Sequence, residues 1–358
     1  MYYFFLGNTP ELSLLELSTL YPGEFNPVSK EIASYTGGLD LSTLPRLGGT
    51  RKVAQLLETC SRNDIVSRLT ALISADLGKN IALTDYANTP LTTPRVISIK
   101  KEVVKSRPVR FVSLDTVEHE LLMLSRQHVA EFNLLPKGDE IVIAKTVWIY
   151  DAADWVARDR NKPYRDIKRG MLPPKVARIM VNLATQGKPG LTLADPFCGT
   201  GTILAEAMMV GCHVLGSDIN PAAISGAEKN LSWLCSFYRL PSTIYHLHQA
   251  DATHFQEFTD AIATEPYMGP LLDERNPSSL DKIKNIAKGL DKLYRGCLKS
   301  WCSPRVVISL PTFHVYGRVI PTISVDTLTS LGYNVASVVP YAKLGATLIR
   351  NITILEKI

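Results

Sequence analysis

Residues 195–204 read Asp-Pro-Phe-Cys-Gly-Thr-Gly-Thr-Ile-Leu, and this order of an acid, a glycine turn and a helix start constrains the fold more than any other stretch. Leu191, Leu193 and Ala194 precede it as a short apolar run suited to a buried parallel strand. Gly199 and Gly201 allow the backbone to turn sharply and to approach a ligand without Cβ interference. From Thr202 to Val210 the apolar spacing is helical, so a ligand at the turn would meet a helix N-terminus. Strand, glycine loop and helix in this order predict an α/β architecture built on a doubly wound sheet.

A second acid closes the next apolar run, Val214-Leu215-Gly216-Ser217-Asp218-Ile219-Asn220. In dinucleotide folds an acid about 20 residues beyond the glycine loop bonds a ribose hydroxyl, and Asp218 has that place. The loop lacks the third glycine of a dinucleotide site, because Leu204 stands there. Asp195 would also repel a pyrophosphate. A ligand with a ribose and a cationic end but no phosphate, such as S-adenosyl-L-methionine, suits these residues better, and a dinucleotide oxidoreductase is disfavoured. Asp251 follows a third strand-like run at 244–247.

Asp195-Pro-Phe-Cys-Gly-Thr-Gly-Thr-Ile resembles the cofactor loop of Rossmann-type nucleic-acid methyltransferases, and among them that of the THUMP-containing enzymes that methylate guanine N2 in tRNA. The resemblance extends upstream through Arg165-Asp166-Ile167-Lys168-Arg169-Gly170-Met171-Leu172-Pro173-Pro174-Lys175. It reaches Leu47-Gly48-Gly49-Thr50-Arg51-Lys52-Val53-Ala54, similar to a segment of their N-terminal ferredoxin-like domain. It implies a transferase that uses S-adenosyl-L-methionine and takes tRNA or another structured RNA as substrate, and it admits a small activating protein as partner. Asp195 would then lie by the methionine portion of the cofactor, with Phe197, Gly199, Gly201 and Thr202 forming the loop. Asp218 would take the ribose hydroxyls with Ile219 beside it, and Asp251 the adenine amino group.

The resemblance places the acceptor site after the fourth strand of the sheet. There the family reads Asp-Pro-Pro-Tyr, or Asn in place of Asp, and this chain reads Thr264-Glu265-Pro266-Tyr267. Either Thr264 takes the acid's place, or Glu265 does and one residue is missing. A guanine amine is a weak nucleophile because its lone pair is delocalised into the ring. Acceptors on its protons, here Glu265 and a backbone carbonyl beside Pro266, restore electron density during in-line transfer. Tyr267 would stack on a base flipped into the pocket.

A chain of 358 residues is too long for one core. The expected division is a ferredoxin-like α+β domain over 1–60, a THUMP-like RNA-binding domain over 61–150, a basic linker over 151–170 and the Rossmann-type methyltransferase domain over 171–358. Short strands are expected at 95–99, 110–112 and 140–147, and a helix at 64–77. A closing antiparallel pair is expected at 334–339 and 347–355.

The net charge is +5, and residues 61–170 carry 18 Lys and Arg against 14 Asp and Glu. Two tracts there are candidate phosphate contacts. One is Arg95, Lys100, Lys101, Lys105, Arg107 and Arg110. The other is Arg158, Arg160, Lys162, Arg165, Lys168 and Arg169. No apolar run approaches the roughly 20 residues that cross a bilayer. The N-terminus reads as a strand, and six cysteines without a Cys-x-x-Cys pair suit reduced thiols in the cytoplasm. No metal is expected, since the histidines at 246, 248 and 254 lack ligand spacing on one element. Two other readings compete: a DNA amino-methyltransferase acting on adenine N6 or cytosine N4, and an RNA-binding relic that has lost turnover.

Overall fold

The computed structural model describes residues 1–89, 91–112, 124, 128–165, 172–270, 279–342 and 345–358. Two compact units divide the chain, one of residues 1–45 and 49–154, the other of residues 46–48 and 155–358.

The first unit is built on one eight-stranded sheet of β1 (Tyr2–Leu6), β2 (Phe25–Ser29), β3 (Ile32–Tyr35), β4 (Thr50–Ser61), β5 (Asn80–Asp85), β6 (Arg110–Phe111), β7 (Val129–Lys137) and β8 (Glu140–Ile149). The strand order is β2-β3-β1-β4-β8-β7-β5-β6. The division expected at residue 60 falls inside this sheet: β4 pairs with β1 on one side and with β8 on the other. Its helices are α1 (Pro10–Leu20), α2 (Ile65–Ala75) and α3 (Thr93–Ser106). Helix α2 buries Ile65, Leu69 and Ile73 at four-residue spacing, and α3 buries Ile99 and Val103, against Phe132, Leu134, Ile141 and Ile143.

The strand expected at 95–99 is therefore part of α3. Pro94 in the first turn presets the helical φ, and burial of Ile99 and Val103 on one face outweighs the β preference of the local Val and Ile residues.

Lys52 on β4 and Glu131 on β7 form a buried ion pair at 2.6 Å, and Thr84 and Thr146 also donate to Glu131. Burial raises the Glu131 carboxyl, but the Lys52 charge and these hydrogen bonds outweigh it and hold the group below its usual range. Lys52→Met should destabilise this unit by about 3–5 kcal/mol, because it strands a buried carboxylate. Thermal unfolding should show most of that loss recovered in Lys52→Met/Glu131→Gln.

The second unit begins within α4 (Ala152–Arg160) and continues through α5 (Pro174–Thr185), β9 (Thr192–Asp195), α6 (Thr202–Met209), β10 (His213–Asp218), α7 (Pro221–Tyr238), β11 (Tyr245–Gln249) and β12 (Ala261–Thr264). It ends with α8 (Leu280–Ser300), β13 (Arg305–Val315), β14 (Arg318–Pro321), α9 (Val325–Ser330), β15 (Tyr333–Tyr341) and β16 (Leu348–Lys357). The sheet runs β11-β10-β9-β12-β13-β16-β15, with β14 on β13. Strands β11 to β13 are parallel, and β16 and β15 close the sheet as the expected antiparallel pair. Strands β10 and β11 step away from β9 in one direction, whereas β12 lies on its other side. The order reverses between β9 and β12, where an open α/β sheet binds its ligand.

The linker expected over 151–170 contains α4. Asp151 Oδ1 accepts from the amides of Ala153 and Asp154, and Trp155 and Ala157 are buried. The density of charge hides this short amphipathic helix from a composition reading. Residues 166–171, with Lys168 and Arg169, lie outside the described residues. Among the described residues no helix is long and apolar enough to cross a membrane.

Candidate active site

The carboxyl ends of β11, β10, β9 and β12 line up four side chains. They are Asp251 just past β11, Asp218 closing β10, Asp195 closing β9 and Thr264 closing β12. Asp195 is 1% exposed and Thr264 fully buried. Thr264 Oγ1 donates to Asp195 Oδ1 at 2.6 Å, and the Phe197 amide donates to the same oxygen at 3.1 Å. Among the described residues Oδ2 receives no donor. Burial pushes the Asp195 carboxyl up to about 7, opposed by these two hydrogen bonds and assisted by the nearby charges of Asp218 and Glu265. A buried acid without a cationic partner suits a ligand that brings positive charge.

The loop between β9 and α6 turns on Gly199 (φ 53°) and Gly201 (φ 83°), a backbone region that side chains other than glycine rarely adopt. Four of its amides are satisfied internally: Phe197 by Asp195, Cys198 by the Ser217 carbonyl, Gly199 by Asp218 Oδ2 and Gly201 by the Cys198 carbonyl. The open amides at the start of α6 remain available to a ligand, but the buried carboxylate of Asp195 beside them would repel a pyrophosphate, so the site suits a nucleoside-type ligand. Asp218 Oδ1 accepts from the Asn220 amide at 2.9 Å. Each carboxylate oxygen has a second lone pair, so a fixed Asp218 can still accept from a ribose diol. Ile219 beside it is exposed. Asp251 accepts from the Thr253 amide and hydroxyl through Oδ1, and these bonds, backbone first, hold its carboxyl below the usual range.

Thr264 is thus a buried donor to Asp195, and Glu265 turns elsewhere, to Arg350 of β16 at 2.6 Å. Pro266 is buried, and Tyr267 is 56% exposed with its carbonyl held by the buried hydroxyl of Tyr294 at 2.8 Å. Cys198 is buried, and burial raises its thiol, so it is a packing residue as its neighbours in the sequence suggest.

The basic tracts separate into exposed and structural residues. Lys100, Lys101, Arg110, Arg160 and Arg165 are exposed. Lys162, expected as a phosphate contact, is instead buried. Its Nζ lies 3.3 Å from Thr202 Oγ1 at the start of α6, and burial pulls its ammonium below the usual range. Arg107, expected in the same role, donates to the carbonyls of Gly78 and Ile73 and closes the end of α2. Arg158 is also inside, paired with Glu206 at 2.7 Å over the face of Trp155.

Composition does not single out Asn230, Arg350 or Tyr294. Asn230 on α7 accepts from the Tyr164 amide and donates to the carbonyls of Tyr164 and Thr200, fastening the segment after α4 to the glycine loop. A buried amide in mid-helix is the one signal that could have marked it. Among the described residues no group of His, Cys, Asp and Glu could hold a metal ion.

The parallel sheet with its reversed order, the glycine loop and the row of acids define a Rossmann-type domain. Residues 162–283 match the family described as UPF0020, an RMKL-like methyltransferase domain, and this part of the chain carries that domain. The chain is 33% identical over 142 residues to the tRNA (guanine(10)-N2)-dimethyltransferase of Methanocaldococcus jannaschii, covering 36% of this chain and 39% of the relative. It is 38% identical over 115 residues to the enzyme of the same name from Methanothermobacter thermautotrophicus, covering 32% of each. The matches thus span less than two fifths of these relatives' length. Across the whole of both chains the fold is similar to that of TrmN from Thermus thermophilus, with a TM-score of 0.53 at 19% identity.

Because the Asp195 carboxyl is raised in the folded state, its protonation contributes stability that is complete below pH ~4 and lost as pH rises through about 7. Asp195→Asn should therefore melt higher than the wild type at pH 8. The gap should narrow from pH 7 downward and vanish near pH 4, as thermal melts across that range would record.

Proposed function

We propose that this protein transfers a methyl group from S-adenosyl-L-methionine to the exocyclic N2 of a guanosine in tRNA, in the cytoplasm. The observation that carries the reading is the row of Asp251, Asp218 and Asp195 along adjacent strand ends, beside a glycine loop fastened to Asp195 and Asp218. When bound, S-adenosylmethionine supplies an electrophilic methyl on a sulfonium. Asp195 answers the ammonium of the methionine portion, Asp218 takes the ribose hydroxyls, and Asp251 accepts from the adenine amine through its less occupied oxygen.

On the acceptor side, Glu265 and a carbonyl beside Pro266 accept the protons of the guanine amine, and the exposed Tyr267 ring stacks on the flipped base. The product ammonium is strongly acidic, so no general base with a tuned pKa is needed. The THUMP-like region over 61–150 offers Lys100, Lys101 and Arg110 to RNA phosphates, and Arg160 and Arg165 add charge ahead of the catalytic domain. The names of the relatives, which specify guanine N2 in tRNA, favour this substrate over DNA.

Unmodified tRNA incubated with the protein and isotopically labelled S-adenosylmethionine should yield labelled N2-methylguanosine on nucleoside mass analysis. Label in DNA adenine or cytosine instead would sink the RNA reading, and cofactor binding without any transfer would favour a binding relic. Asp218→Ala should weaken cofactor binding roughly tenfold to a hundredfold, the value of hydrogen bonds to a charged acceptor. Titration with tRNA should give an affinity within about threefold of the wild type, because the phosphate contacts lie elsewhere.

A further inference from the structure

Arg350 lies on β16 opposite Pro311 of β13 and Tyr341 of β15, so these three residues share one face of the sheet. Its Nε–H donates to Glu265 Oε1 at 2.6 Å, and the two side chains are 27% and 16% exposed. The pair sits one residue beyond Thr264, whose hydroxyl holds Asp195, and therefore at the acceptor end of β12. A half-buried pair of this kind contributes little to stability by itself.

Its chemistry is more telling. A guanidinium carries five N–H donors, and among the described residues Arg350 spends one of them, on Glu265. The carboxylate beside it keeps Oε2 and further lone pairs. Donor next to acceptor is the complement of the guanine pairing edge, which displays O6, then N1–H, then the 2-amine. Adenine and cytosine present a different order on that edge and would set an amine against the guanidinium. Glu265 stands where the resembling family has the first proline of Asp-Pro-Pro-Tyr, so the chain's departure from that motif supplies one half of the pair.

We infer that Arg350, held by Glu265, is a specificity-determining residue that donates to O6 of the target guanine while Glu265 accepts from its N1–H. This rests on the guanine N2 reading above. The free carboxylate oxygen of Glu265 then also accepts from one proton of the adjacent 2-amine and the carbonyl next to Pro266 from the other, and the exposed Tyr267 ring covers the base.

The test compares two RNAs. The guanosine methylated in an unmodified tRNA transcript is mapped by nucleoside mass analysis. The transcript is then rebuilt by ligation with 2-aminopurine at that position, which keeps the 2-amine but lacks O6 and N1–H. For the wild type, kcat/KM on the guanine RNA should exceed that on the 2-aminopurine RNA by roughly tenfold to a hundredfold. Arg350→Met should lower that ratio at least tenfold, and Arg350→Lys should lower it less. An equal fall on both RNAs would assign Arg350 a purely structural role, and a wild type indifferent to the two bases would overturn the inference directly. Thermal melts establish that the variants are folded, and should Arg350→Met not fold, the Arg350→Lys ratio decides. A wild type that transfers no methyl to guanine N2 in any tRNA sinks the reading beneath the inference, an outcome separate from either failure at Arg350.

Discussion

Asp195 is buried at the point where the strand order reverses, and its contacts fix three separate pieces of the site. Through Oδ1 it accepts one hydrogen bond from the Thr264 hydroxyl on the neighbouring strand and another from the Phe197 amide, which starts the glycine loop. The loop then bonds onward to Ser217 and Asp218 on the strand at the other side. Two neighbouring strand ends and the turn between them are thereby registered by one carboxylate. A second acid at position 264 would bring like charges together in an apolar setting, whereas a threonine hydroxyl can donate. The same burial that raises the Asp195 carboxyl prepares it for a cationic partner.

Much of the catalytic unit is legible in the sequence because its signals are local. The acid, the two glycines and the apolar run before them fall within ten residues, and each has one physical use. The antiparallel closing pair is legible for the same reason, since β-branched residues cluster in both strands, Val335, Val338 and Val339 in one and Ile349, Ile352, Thr353 and Ile354 in the other. Helix α3 is not, because Val96, Ile97 and Ile99 read as strand until Ile99 and Val103 are seen buried on one face. Helix α4 is masked by its charge, although Arg158 is itself buried against Trp155 and Glu206.

The segment after β12 exposes the limit of reading along a chain. Glu265 and Arg350 are separated by 85 positions, and the pairing of β12 with β13 and of β13 with β16 brings them together. Lys162 misleads in the opposite sense: beside Arg160 and Arg165 it reads as surface charge, yet it is folded under the glycine loop against Thr202. A count of basic residues cannot separate those that meet solvent from those that close a helix end or fill a cavity. Of the two tracts, the residues left facing outward are fewer than the composition suggests, and they are the ones available to a phosphate.

Asn230 reads three backbone groups with one amide, its oxygen toward an N–H and its nitrogen toward two carbonyls. Aspartate has the same shape and lies a single base change away, but it would turn an oxygen toward the carbonyls of Tyr164 and Thr200. Glutamine has the right groups on a longer arm. Neither can take over the bond pattern from this position. The glycine loop therefore depends not only on its own glycines but also on a residue outside it, on the helix after the next strand.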